Sequence, residues 1–174
     1  MKNKAFILLA VVIAMLLQAC KKDTSPQPYP EGKKGWVIGK KNGKNWSTSR
    51  YDAVYGKNNT VGFESEYPLN PSLKEYIVIN NISYDRRYNK IHEYIYSPPS
   101  GKYDSTHIFY YLEAGGDASV GEYRILGNEE NYISVDYYDA DAREIRGSFR
   151  MTLCNGDYSD TIRFTECYYG LKIK

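Results

Sequence analysis

This chain is poor in the side chains that carry most catalytic and metal chemistry: two of its 174 residues are histidine and three are cysteine. A hydrolytic triad needs a Ser or Cys nucleophile beside a histidine that a carboxylate orients. His92 and His107 sit in no such motif, and the chain has no G-x-S-x-G. Zinc asks for three or four closely spaced His, Cys, Asp or Glu ligands, which so thin an inventory does not supply. The densest acidic cluster, Asp136, Asp139 and Asp141, departs from the EF-hand loop at Arg143 and reads as the closing turn of a hairpin. The expectation is a protein that is not an enzyme and that carries no cofactor or metal.

Long helical patterns are missing too. No window keeps a 3.6-residue apolar period with caps, so nothing predicts an amphipathic helix. No apolar run reaches the ~20 residues of a spanning helix. The longest, residues 5–17, has 13 residues. It follows Lys2 and Lys4 and leads into Leu17-Gln18-Ala19-Cys20. A basic start, a short apolar middle and a small residue before cysteine make a lipoprotein export signal. Cleavage after residue 19 would leave Cys20 as a lipidated N-terminus. Three acyl chains anchor durably where one holds only marginally, at ~0.8 kcal/mol per buried methylene. The expected address is the cell envelope, lipid-anchored at the outer membrane and facing the periplasm or the exterior. Lys21-Lys22-Asp23 adds a charge hint of surface export.

Net charge is also absent from the part that would remain. Removing Lys2 and Lys4 from the 23 basic residues leaves 21, equal to the 21 acidic ones. Such balance gives no electrostatic case for a nucleic-acid partner. Residues 20–34 hold Pro26, Pro28 and Pro30 among polar residues, the composition of an extended spacer. Residues 35–174 then form the domain.

What the chain has in quantity is tyrosine, 19 residues, with frequent Ile, Val, Thr and Phe. These residues suit pleated sheets. Asn42-Gly43 between two strand-like runs is a two-residue hairpin signal. Strands are expected over 35–41, 44–50, 60–65, 75–82, 90–97, 107–113, 121–126, 132–138, 144–153, 161–165 and 168–173, with 67–72 and 84–89 as turns. About ten short strands separated by turn chemistry predict an all-β fold, an antiparallel β-sandwich or barrel-like single domain. If 155–160 is a hairpin loop, Cys154 faces Thr161 and Cys167 faces Ser148. That puts the sulfurs ~20 Å apart along the strand, beyond disulfide reach. Two separate thiols are expected, although the compartment would permit a bond.

Several segments share a rhythm: Asn42-Gly43-Lys44-Asn45-Trp46 near the start, Gly121-Glu122-Tyr123, Asn131 to Asp136, Arg143 to Phe149, and Asp160-Thr161-Ile162-Arg163-Phe164-Thr165-Glu166. Together they resemble an uncharacterised Bacteroidota-type β-rich lipoprotein family of unknown function. In that family a "G-T-F" strand and a closing "D-T-I-x-I-T-x-G-x-F" strand end a small β-domain. The resemblance covers roughly the last sixty residues and the opening hairpin. Ser148 stands where Thr is usual, and Cys167 where Gly is usual. The resemblance implies an all-β lipoprotein and transfers no catalytic residue.

Three tyrosine pairs fall in expected strands: Tyr110-Tyr111, Tyr137-Tyr138 and Tyr168-Tyr169. Side chains alternate across a sheet, so one of each pair fills the core while the other meets an outer face. Outward tyrosines near Asn, Asp and Arg suit sugar stacking or a protein partner. The expected function is a membrane-anchored, non-catalytic binding or accessory module for an extracellular glycan or protein. The alternative is a structural or assembly component of the envelope.

Overall fold

Alternating β-branched and aromatic residues set the architecture from Gly35 onward. The computed structural model describes residues 35–48, 50–92, 105–116 and 118–174. The export signal, Cys20, the spacer and most of the strand expected over 90–97 lie outside the described residues. Among those described, twelve strands are present: β1 (Trp36–Lys41), β2 (Lys44–Ser47), β3 (Arg50–Tyr55), β4 (Thr60–Asn70), β5 (Leu73–Ser83), β6 (Tyr88–Lys90), β7 (His107–Ala114), β8 (Ala118–Ile125), β9 (Tyr132–Ser134), β10 (Tyr137–Asp139), β11 (Glu144–Asn155) and β12 (Thr161–Lys172). They form one antiparallel sheet in the order β2-β1-β12-β11-β8-β7-β5-β4-β3. Strands β9 and β10 pair with β11, and β6 pairs with β9. The fold is all-β, as expected.

Wide sheets twist and curl, and this one curls far enough for β3 to touch β1 and β12. The Lys174 amide donates to the Ala53 carbonyl at 3.0 Å. Phe63 of β4 stacks on Tyr169 of β12 with ring centroids 5.6 Å apart. The concave face is the core: Val37, Ile77, Ile79, Phe149, Met151 and Phe164 are all within 1% of complete burial. Each such side chain contributes about 1.5–3 kcal/mol.

Several boundaries differ from expectation. The run over 44–50 breaks after Ser47, where the Thr48 amide turns back to the Val37 carbonyl at 2.9 Å. Arg50 then opens β3, which pairs only with β4 along the sheet path. Its residues are exposed except Ala53 and Tyr51. Residues 67–70, expected as a loop, continue β4. Pro68 is tolerated because the register shifts between Pro68 and Asn70, a bulge where a missing ladder donor matters little. Tyr88 to Lys90 pairs with β9 rather than forming only a turn. The strand expected over 132–138 is split in two. Between the halves, the Val135 amide goes to Arg87 and the Asp136 amide to Arg146. The last two expected strands are one, β12, bulged where Glu166 takes φ 50°.

That bulge also moves Cys167 by one position, so that it faces Phe149 instead of Ser148, while Cys154 faces Thr161. Both thiols are free and buried. The Asn42-Gly43 turn has φ 49° and 76°, the left-handed pair of a type I′ hairpin. Asp139 closes the β10–β11 turn, its Oδ1 accepting from the Ala142 amide at 2.8 Å.

Candidate functional site

Strand alternation divides two of the three tyrosine pairs, while neither Tyr137 nor Tyr138 is buried. Tyr110 and Tyr169 are buried at 2% and 0% exposure. Tyr111, Tyr138 and Tyr168 are half-buried, and Tyr137 is 45% exposed. The outward members do not gather on one face. Tyr111 stacks on Tyr76 at 4.9 Å. Tyr138 packs against Tyr84 at 4.1 Å, near the end of the sheet where Tyr84 bonds to Asn59. Tyr137 lies under the Arg146 guanidinium at 5.2 Å and donates to Asp139. Tyr168 lines a groove.

This groove has a volume of about 490 Å³ and is lined by residues of β1, β2, β4 and β12. Ile38, Tyr67, Tyr168 and the edge of Trp46 make its apolar surface, with Asn45 and Ser47 as polar neighbours. The Asn42-Gly43 turn folds β2 back along β1, setting Ile38 opposite Ser47 and Lys40 opposite Asn45. The β12 bulge turns Glu166 toward Lys40, and the two pair at 2.7 Å on the rim. An aromatic floor with a few oriented polar groups is the usual make-up of a ligand site.

Trp46 is clamped from inside. Its Nε1–H donates to Glu75 Oε1 at 2.8 Å. Its ring meets Phe164 edge-on at 5.1 Å and Tyr67 at 6.3 Å. The Glu75 side chain is wholly out of solvent and is paired with Lys41. Lys41 Nζ also donates to the Tyr110 hydroxyl at 2.9 Å and stands over its ring at 5.4 Å. Burial, then the Glu75 charge and hydrogen bond, push the Tyr110 phenol far above its ordinary range. Tyr110 in turn meets Tyr123 edge-on at 5.2 Å. Tyr123 donates to Asp160 at 2.6 Å. That bond, with burial and the carboxylate charge, pushes its phenol up to about 12. Both phenols therefore stay protonated at neutral pH and act as fixed donors. The cluster positions Trp46.

Sequence reasoning passed over Lys41, Trp46, Glu75 and Tyr67. One signal was present: Glu75 shares the period-2 face of Ile77 and Ile79, so an acid stands on the apolar face of β5.

Burial pushes the Cys167 thiol up to about 12. A thiolate is the reactive form, so Cys167 is expected to stay unlabelled by iodoacetamide at pH 8 in the folded chain and to label fully in denaturant. Mass analysis of its peptide checks this, and ready labelling of the native chain would contradict the buried placement.

Compared with family models, curated proteins and solved structures, the chain matches none.

Proposed function

We propose that this chain is a lipid-anchored envelope protein whose strand domain is a non-catalytic binding or accessory module for an extracellular glycan, seated in the groove at Tyr168. The observation that carries the reading is that groove: Tyr67 and Tyr168, with the small exposed part of the buried Trp46, beside Asn45, Ser47 and the Lys40–Glu166 pair. Aromatic faces stack on the apolar faces of sugar rings, while amide and hydroxyl groups set orientation. The export signal ending at Cys20 supports the address, and the resemblance to Bacteroidota-type lipoproteins agrees with it.

The purified full-length chain in detergent is expected to be retained by a subset of an immobilised glycan array. Tyr168→Ala should lower that retention about tenfold or more, and Tyr111→Ala, on a separate part of the sheet, should leave it unchanged. No retention, or equal loss in both variants, would remove the groove from the reading. Palmitate incorporation that vanishes in Cys20→Ala tests the anchor separately.

A second reading, an envelope assembly component, draws support from β3. This terminal strand of the sheet path, whose Ala53 carbonyl already accepts from the Lys174 amide, exposes Val54 at 50% and Tyr55 at 40%, and exposed apolar side chains of this kind can seat another chain. Crosslinks from β3 in intact cells would favour it over the glycan.

A further inference from the structure

The groove at Tyr168 has a fitting occupant in the chain itself. Strand β1 lines it with Ile38, Gly39 and Lys40, and the polypeptide leading into β1 contains Pro26-Gln27-Pro28-Tyr29-Pro30. Gly35, the last residue before β1, takes φ 89°. A Cβ there would overlap the Tyr51 ring of β3, so the chain passes closely over β3 at a point that needs glycine. Tyr51 stands opposite Ser65 in the β3–β4 register, and Tyr67 of the groove is two residues further along β4. On β1 the groove starts at Ile38, which has Ser47 on one side and Tyr168 on the other. Gly35 is three residues from Ile38, about 10 Å at strand rise. The chain therefore enters the domain beside the groove.

Reach and chemistry both fit. Tyr29 is six residues before Gly35, a reach of roughly 20 Å at ~3.1 Å per residue in an extended spacer. Gly32 and Gly35 accept the turns that folding back requires. Polyproline helices dock on grooves lined by aromatic rings, because their rings are rigid and apolar and their backbone carbonyls have no internal partner. This groove offers Tyr67, Tyr168 and the small exposed part of Trp46 to the rings, and the exposed Asn45 and Ser47 as donors to the carbonyls. With three residues per turn, Pro26 and Tyr29 would share one edge. The flanks of the segment carry Glu31 and Lys33-Lys34. The rim carries Lys40 and Glu166, with side chains 39% and 62% exposed, so each rim charge has an opposite sign to meet. A ligand joined by so short a linker acts at an effective concentration near millimolar, and even a weak contact fills the groove.

We propose that residues 26–30 dock in the groove at Tyr168 of the same chain and hold it until a glycan displaces them. The displacement rests on the glycan reading of this groove; the docking stands without it.

Photocrosslinking of the full-length chain in detergent tests this. With p-benzoylphenylalanine in place of Tyr29, irradiation is expected to join position 29, within one chain, to the groove-lining peptides of β1, β2, β4 or β12. Mass analysis of the monomer reads the product. Pro26→Ser, Pro28→Ser and Pro30→Ser made together should lower its yield about tenfold, and these positions precede the strand domain, so its folding is not at issue. Tyr168→Ala should lower the yield as well, and Tyr111→Ala should not. The triple serine variant should also be retained more strongly on the glycan array, because no docked segment competes. Crosslinks that miss the groove, that form only between chains, or that persist in the triple variant would overturn the docking. Groove crosslinks in a chain that no glycan retains would uphold the docking and remove the glycan. Glycan retention without groove crosslinks would do the reverse.

Discussion

Replacing Lys41 by methionine is expected to cost about 3–5 kcal/mol of folding stability, or a fall of roughly 10 °C or more in Tm. The Glu75 side chain has no solvent contact, and Lys41 is the cation paired with it. Methionine fills much of the same volume and removes only the charge. A carboxylate left uncompensated in the interior then has only neutral donors beside it, the Trp46 indole and the Tyr110 hydroxyl. Water is the better solvent for that charge, so the unfolded state gains.

The converse change is expected to be milder. Glu75→Gln keeps an amide oxygen to accept from Trp46, and the Lys41 side chain is 21% exposed, so its ammonium can move to water along its flexible stem. The double variant, Lys41→Met with Glu75→Gln, should regain much of what Lys41→Met alone loses, because no isolated charge remains inside. Urea unfolding of the four chains measures the cycle. If Lys41→Met stays within about 1 kcal/mol of native, the pair is not the electrostatic centre of this cluster. The same variant bears on the proposed glycan groove, since the cluster fixes the Trp46 ring.

The features that were legible in the sequence are the local ones. Asn42-Gly43 names its turn because few other residue pairs accept two left-handed conformations. The tyrosine pairs had to divide between faces because strand side chains alternate, and Tyr110/Tyr111 and Tyr168/Tyr169 do so. Features that depend on distant partners were hidden. The bulge at Glu166 follows from the register of β12 against both β1 and β11, and no local composition announces it. The inward set of Glu75 could be suspected from Ile77 and Ile79, but its cation comes from β1 and its indole from β2. The two histidines looked isolated for the same reason: only a backbone bridge at the start of β7 pairs His92 with His107. The wide scatter of the outward tyrosines came from sheet curvature, which residue-by-residue alternation does not describe.

Gly147→Ala is the second change with a large expected effect, about 3–5 kcal/mol of destabilisation, combining overpacking with a lost buried hydrogen bond. Gly147 sits inside β11, opposite Tyr169 of β12. An added Cβ would stand 1.9 Å from the Ser134 carbonyl oxygen and 2.8 Å from the Tyr169 hydroxyl. Those two atoms are partners: Tyr169 donates to the Ser134 carbonyl at 2.7 Å in the core. The methyl therefore needs the space that this bond occupies. A flexible side chain could swing away, but the closest atom belongs to the backbone of β9. Ser134 is further tied through its Oγ, which accepts from the Ser148 amide at 3.1 Å and lies 2.8 Å from the Ser148 hydroxyl. Relief requires β9 to move off β11 and break the Tyr169 bond. Tyr169→Phe alone should cost about 1–2 kcal/mol, the loss of one buried hydrogen bond. Because both changes abolish that bond, the double variant should lose less than the two single losses added together. Denaturant midpoints at unchanged m-value report all three. A Gly147→Ala chain as stable as native would mean that β9 does not lie where this packing requires it.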